Sequence, residues 1–372
     1  MMKRTRVSLG ERSYEILSGS GAVKSLPPVV SGISSSSPVV VITDRNVLKF
    51  SGRMLEGVFK KIRNPLEKII LTPGEKSKSL SVFGGVVREI TARTRGHRPI
   101  IIAIGGGVVG DLAGFVAATY RRGVPLVQVP TTLLAQVDSS VGGKVGIDMP
   151  EAKNIVGAFY QPRAVLSDTG FLKTLPLREK RNGMAEIIKY AVIKSPELFR
   201  TLENNVSKVE RMDPSAIDTI IAECIKIKAR VVEKDENDSG DIRIILNFGH
   251  TLGHAVEAAS GFSESYNHGE SVALGMVMAC RIAGDLGVVR DGHSRRIEEL
   301  ILSYGLPVTF SGVGPDKIMS ALKYDKKFIS GVNRFILPER IGKVKVYDDV
   351  KDEIVRRAVK NVYAPKPRSG GK

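Results

Sequence analysis

Three of the chain's five histidines crowd into one stretch, as His250, His254 and His268. His250 and His254 are four residues apart, so on a helix they share a face. His268 opens an apolar segment, Ser271 to Gly284, that reads as a second helix. Neutral imidazoles gathered this way suit a divalent transition metal. In a chain so poor in histidine, this clustering favours a metal or proton-transfer site over histidines that merely pack. Catalytic zinc commonly keeps three protein ligands and one open position, so a carboxylate would complete a His/His/Glu set. The best upstream candidate is Glu186, in the apolar helical run Met184 to Ile193. A carboxylate buried there needs a partner. Spacing alone leaves open whether Glu186 is a ligand or half of a helix-face Glu–Lys pair.

A second pattern lies earlier. Gly105, Gly107 and Gly110 fit G-x-G-x-x-G between a strand and a helix, where main chain can approach a pyrophosphate and helix amides can bind it. The acidic residue that usually holds a ribose about 20 residues later is missing, because that region is Gln128 to Thr132. Asp44 and Glu75 each follow a strand and could take its place, or could simply be turn or cap residues. Further polar groups are Asp138 to Lys144, Lys153-Asn154, Arg121-Arg122, Lys189, Lys228, Arg243, Asn247 and Lys326-Lys327. Each alone reads as a solvated charge. Together they suit a substrate bearing a carboxylate and a phosphate.

The elements that must position these groups change character along the chain. Short strands are expected at Arg6 to Leu9, Tyr14 to Leu17, Pro38 to Ile42, Lys68 to Leu71, Pro99 to Ile104 and Leu126 to Val129. Helices at Leu80 to Arg93 and Leu112 to Tyr120 alternate with them, which implies a parallel α/β sheet. From about Leu177 the pattern is helical: 178–193, 196–206, 214–234, 247–259, 269–286, 293–304, 315–322 and 350–362. A small hairpin is expected at Arg334 to Leu337 and Lys343 to Val346. The expectation is therefore a Rossmann-like α/β domain over residues 1–176 and a mainly α-helical metal- and substrate-binding domain over 177–372, with the active site in the cleft between them.

Composition narrows the class. The 372 residues, 42% apolar and 26% charged, describe an ordinary globular chain. No apolar run approaches the ~20 residues of a membrane span, and no signal-peptide pattern opens the chain. Cys224 and Cys280 make no disulfide framework and read as buried thiols in a reducing cytoplasm. The net charge of +17 is dispersed. Apart from the tail Lys366-Pro367-Arg368 there is no basic cluster, and no nucleic-acid motif, so a nucleic-acid partner is not expected.

Six ordered blocks then carry a resemblance: GGGVVGDLAGFVAATY, QVPTTLLAQVDSSVGGKVGID, KNIVGAF, NGMAEIIKYAVI, LNFGHTLGHAVE and NHGESVALGM. Together they closely resemble 3-dehydroquinate synthase, from about Asp44 to Gly342. The resemblance implies a homodimer that uses NAD and zinc, with cobalt as a substitute. It implies metal ligation by Glu186, His250 and His268, with His254 catalytic instead. NAD would be held by Asp44, Asn46, Pro73, Gly74, Glu75, Lys76, Lys78, Gly106, Gly107, Val108, Val109, Gly110, Asp111, Thr131, Thr132, Lys144, Lys153, Phe171, Leu172, Lys173 and Thr174. Substrate would meet Asp138, Lys144, Asn154, Lys189, Lys228, Arg243, Asn247 and His254, a lysine of the pair Lys326-Lys327, and Arg122 from the partner subunit. The implied reaction converts a heptulosonate phosphate to 3-dehydroquinate and phosphate. The rivals are another sugar-phosphate cyclase and a metal- and NAD-dependent polyol dehydrogenase. Lys228, Asn247 and His254 keep the identities expected of 3-dehydroquinate synthase.

Overall fold

The computed structural model describes residues 2–261, 265–290, 292–329, 334–348 and 350–365, without the side chains of 324–329. The chain divides into two compact units: Met1–Lys180 with Met212–Asn237, and Arg181–Arg211 with Asp238–Lys372.

The first unit begins with β1 (Lys3–Val7), β2 (Tyr14–Ser18), α1 (Leu26–Ile33), β3 (Val39–Asp44), α2 (Arg45–Phe59), β4 (Leu66–Leu71) and α3 (Leu80–Arg93). It continues through β5 (Ile100–Gly105), α4 (Gly107–Thr119), β6 (Leu126–Pro130), β7 (Lys144–Ile147), β8 (Val156–Phe159) and β9 (Ala164–Ser167). Seven strands form one sheet in the order β1-β2-β9-β6-β5-β3-β4. The β1–β2 pair is antiparallel and the remaining pairs are parallel. β5 and β6 are buried along their whole length, as parallel strands covered on both faces must be. The period-two alternation is visible in β5. Ile101 and Ala103 pack with Leu112 and Val116 on one face, whereas Ile100, Ile102 and Ile104 pack with Val127 and Leu166 on the other.

Three strands escape the sequence patterns. β7 and β8 form their own antiparallel pair with Gly146 opposite Gly157. A Cβ on either glycine would fall within 2.6 Å of a main-chain oxygen of the facing strand. Glycine mutes a strand's sequence signal, and here it is the only residue that fits. The third, β9, is too short to stand out. A further difference is the start of α4, which begins inside the glycine turn at Gly107 rather than at Leu112.

The later helices are α5 (Leu177–Lys194), α6 (Pro196–Asn204), α7 (Val206–Glu210), α8 (Pro214–Lys234), α9 (His250–Ala259), α10 (His268–Asp285), α11 (His293–Ser303), α12 (Pro315–Ile329) and α13 (Asp352–Val362). β10 (Arg334–Arg340) and β11 (Lys343–Asp348) pair antiparallel as the expected hairpin. α8 belongs to the first unit. Asp218 accepts from Thr169 Oγ1 at 2.7 Å, Glu233 from the Ser8 amide at 2.7 Å, and just beyond the helix Glu236 pairs with Arg12 at 2.8 Å. Among the described residues no helix is long and apolar enough to cross a membrane. Both cysteines are buried thiols outside any disulfide.

Candidate metal centre and active site

In the second unit, α5, α9 and α10 bring three donors together. α10 opens with a capping box: Asn267 Oδ1 accepts from the Glu270 amide and Glu270 Oε2 from the Asn267 amide, both at 2.9 Å. Asn182 Oδ1 on α5 accepts from the Gly269 amide at 2.7 Å. One turn further along α5, Glu186 Oε1 lies 3.3 Å from His268 Nε2 and 3.5 Å from His250 Nε2. α9 reaches this point because it nearly touches α10 through glycines. A Cβ on Gly275 would stand 1.8 Å from the Gly249 carbonyl oxygen, and one on Gly253 would stand 2.8 Å from that of Ser271. Gly249 itself, at φ +80, starts α9 in the left-handed region.

The charge states favour a cation. His250 Nδ1 is 3.2 Å from the Phe248 carbonyl oxygen, which can only accept. The proton therefore sits on Nδ1, and Nε2 presents a lone pair. Burial lowers the His250 pKa to about 3, against the pull of Glu186. For Glu186 burial acts upward, yet Lys189, His250 and His268 outweigh it and hold the carboxyl well below its ordinary value. Its second oxygen pairs with Lys189, and both side chains are at most 2% exposed. Burial also lowers the His268 pKa, but the bond to Glu186 and its charge raise it overall. A neutral imidazole lone pair thus faces a carboxylate oxygen at 3.5 Å, two acceptors that a cation between them would reconcile. One ligand atom from each of Glu186, His250 and His268 lies within 4.8 Å of the others. Two imidazoles and a carboxylate are the donor set of open catalytic zinc sites. The His254 ring stands beside them, 5.4 Å from that of His250 and 6.4 Å from that of His268. Arg243 is buried in a short 3-10 turn that ends at the exposed Asn247. The side chains of Lys326 and Lys327, and the tail Lys366-Pro367-Arg368, lie outside the described residues.

In the first unit, the glycine turn is tight on every side. A Cβ at Gly106 would meet Thr132 Cγ2 at 3.0 Å, one at Gly107 Ser139 Oγ at 3.3 Å, and one at Gly110 Gln128 Oε1 at 3.1 Å. Gly106 is the N-cap of α4 and no side chain caps that helix, so the amides around Val108 and Val109 form a cradle of the kind a pyrophosphate fills. Thr131 follows β6, and its amide donates to the Gly105 carbonyl at 2.9 Å. Lys78, 4% exposed, reaches into this region. Its Nζ pairs with Asp111 Oδ2 at 2.6 Å and donates to Asn154 Oδ1. Burial lowers the Lys78 pKa, but Asp111, Glu75 and Asp148 raise it further, so the ammonium keeps its proton. Glu75 and Lys76 sit in the short turn before Lys78, just after Pro73 and Gly74.

Other sequence candidates stand apart. Asp44 caps α2 by accepting from the Val47 amide at 2.9 Å, with Asn46 exposed in that helix's first turn. Phe171 and Leu172 are buried, so in the 3-10 turn Thr169–Thr174 only main chain, Lys173 and Thr174 remain for a ligand. Lys228 Nζ binds Asp138 through both its carboxylate and its carbonyl, at 2.8 Å each. Lys144 is exposed at the start of β7, and Lys153 and Asn154 are exposed in the turn before β8. Arg122 is exposed at φ +62. Sequence reasoning gave no role to Asn182, Gln128 or Asp148. The available signal was position, since each lies inside or beside a block that carries named candidates.

The family profile described as 3-dehydroquinate synthase N-terminal matches residues 68–182, and that described as 3-dehydroquinate synthase C-terminal matches residues 183–328. The chain belongs to the 3-dehydroquinate synthase family. The N-terminal match contains the glycine turn, and the C-terminal match contains all three candidate metal donors. The chain is 43% identical over 356 residues to the 3-dehydroquinate synthase of Desulforamulus reducens, covering 94% of this chain and 98% of that one. Among solved structures, it resembles a 2-deoxy-scyllo-inosose synthase complexed with carbaglucose-6-phosphate, NAD+ and Co2+, with TM-score 0.86 and 26% identity over 97% of this chain and 100% of that one. It also resembles a 2-epi-5-epi-valiolone synthase from Streptomyces hygroscopicus subsp. jinggangensis with NAD+ and Zn2+ bound, with TM-score 0.85 and 28% identity over 95% and 98%.

Proposed function

We infer that this chain is a 3-dehydroquinate synthase, a phosphorus-oxygen lyase. It converts 3-deoxy-D-arabino-heptulosonate 7-phosphate to 3-dehydroquinate and phosphate by transient oxidation, phosphate elimination, re-reduction and aldol closure. The observation that carries the reading is the convergence of Glu186, His250 and His268 beside the buried Lys189, in a chain of this family. These three residues would hold zinc or cobalt, and the Gly106–Asp111 turn with Asp44, Glu75, Lys78 and Thr131 would hold NAD.

When bound, the metal supplies Lewis acidity toward a substrate hydroxyl, and NAD supplies a hydride acceptor that is regenerated within each turnover. The protein's own residues do the rest. The Phe248 carbonyl fixes the His250 tautomer so that Nε2 would offer its lone pair to the ion. Lys153, Asn154 and Arg122 hold the substrate phosphate as it leaves. Lys189, Lys228 and Arg243 bind the carboxylate and hydroxyls, with Lys228 kept in place by Asp138. His254, Lys144 and Asn247 move protons and hold the developing enolate. A cytoplasmic homodimer in which Arg122 serves the partner subunit's site is part of the same reading.

The test is a phosphate-release assay with trace NAD. Release from the heptulosonate phosphate without accumulation of NADH, stopped by a chelator and restored by zinc or cobalt, is the expected result. Steady NADH production from a polyol, or turnover of glucose 6-phosphate in preference, would overturn the assignment.

A further inference from the structure

Asp148 has no role in the scheme above, yet it ties two of its parts together. Its main-chain amide donates to the Lys78 carbonyl at 2.8 Å, and it bridges to Ser79. Its carboxylate Oδ1 accepts from the Asn154 amide at 2.8 Å. Asn154 sits at φ +55, in the left-handed region that asparagine enters more readily than most residues with a side chain. It is held there from two directions: Asp148 holds the main chain, and Lys78 Nζ donates to the side-chain oxygen. The same ammonium pairs with Asp111 on the first turn of α4, at 2.6 Å. Between Asp148 and Asn154 the chain is closed by a turn in which Met149 and Ala152 exchange main-chain bonds at 3.0 and 3.2 Å. The turn bearing Lys153 and Asn154 is therefore not an independent loop. It is fastened to the strand-end turn of Glu75 to Lys78, and through Lys78 to the glycine-turn helix.

We propose that Asp148 is a positioning residue that couples the dinucleotide site to the phosphate site. A dinucleotide seated at Lys78 and Asp111 draws the ammonium toward itself and releases the Asn154 side-chain carboxamide. Asp148 keeps the main chain of the turn in place, so the freed carboxamide and Lys153 meet a phosphate already oriented. Because binding free energies are reciprocal, phosphate in turn tightens the dinucleotide by the same factor. The inference takes the identity of its two ligands from the proposed function.

The experiment is calorimetric titration of inorganic phosphate into the full-length protein, with and without saturating NAD. The parent should bind phosphate at least about fivefold more tightly with NAD present, the low end of ordinary coupling between sites. Asp148→Ala should reduce that factor to below about twofold. Asp148→Asn, which keeps an acceptor for the Asn154 amide, should preserve most of it. A residue that served only general stability would lower the melting temperature of Asp148→Ala and leave the factor unchanged. An unchanged factor in Asp148→Ala, no coupling in the parent, or equal collapse in both variants overturns the proposal. Should Asp148→Ala fail to fold, amide exchange in the parent decides. Phosphate must slow exchange at Lys153 and Asn154 more with NAD present than without it, and equal slowing overturns the coupling. These readouts need no turnover. An inactive enzyme that retains Asp148-dependent coupling defeats only the proposed reaction, and an active one without it defeats only the role of Asp148.

Discussion

The seam between α9 and α10 offers a sharp test of how the candidate metal centre is built. In Gly275→Ala the new methyl would lie 1.8 Å from the Gly249 carbonyl oxygen, 2.7 Å from the Gly253 nitrogen and 2.8 Å from the Gly249 carbonyl carbon. All three are main-chain atoms, so no side chain can swing aside. Restoring an ordinary contact requires the helices to part by on the order of 1.5 Å, and overpacking a well-filled interior costs typically 1–3 kcal/mol. With main chain on both sides, the upper end applies, about 3 kcal/mol. His250 directly follows Gly249, and His268 starts the helix that carries Gly275, so the same displacement separates two ligands. Metal–ligand distances tolerate only about 0.2 Å, so zinc affinity should fall at least about tenfold. Gly284→Ala on the same helix is the control. Nothing lies within 4 Å of its added methyl, and it should stabilise by about 0.5–1 kcal/mol. Urea unfolding of the metal-free variants gives the first quantity, and zinc competition against a chromophoric chelator gives the second. If Gly275→Ala unfolds at the parental midpoint and binds zinc like the parent, then the glycine contact does not set the ligand geometry.

Other outcomes follow from the same structure. His250→Ala should lose zinc and activity together, because two ligands hold the ion poorly; full activity with one zinc per chain, read by atomic absorption, would refute the ligand assignment. Lys189→Met leaves the Glu186 carboxylate buried without its cation, and should destabilise the metal-free protein by about 3–5 kcal/mol in urea unfolding. Added zinc should recover part of that loss. Burial, aided by the charge of Glu298, raises the Cys280 thiol pKa to about 12, so at pH 8.5 it stays protonated in the folded state and ionises on unfolding. Iodoacetamide at that pH should label Cys280 only as the protein unfolds, and prompt labelling of native protein would contradict its burial. Lys153→Ala should weaken a phosphonate substrate analogue about tenfold or more by calorimetry, the scale of one charge-assisted bond.

The sequence shows where chemistry concentrates more readily than how the groups face one another. Continuous apolar runs such as Pro99 to Ile104 identify a parallel sheet because burial on both faces leaves nothing polar in the strand. β7 and β8 stay hidden because their facing glycines carry no pattern. For Glu186, spacing could not choose between a metal ligand and an ion pair with lysine. The structure turns one oxygen toward the imidazoles and the other toward Lys189, a division no linear pattern can express. Asp44 is similar: the sequence leaves it as a ribose partner or a cap residue, and its carboxylate caps α2. Asn182 acts through a main-chain partner 87 residues away and Asp148 through one across an irregular turn, and such bonds leave no periodic trace.

The placement of α8 has a consequence for how this molecule is made. Met212–Asn237 completes the first unit, yet it is synthesised only after the chain has entered and left the second. Until those residues emerge from the ribosome, Thr169 lacks Asp218 and Ser8 lacks Glu233. The nascent sheet therefore waits, partly uncovered, for a helix encoded far downstream. No single cut in the gene yields two fragments that each contain a whole unit.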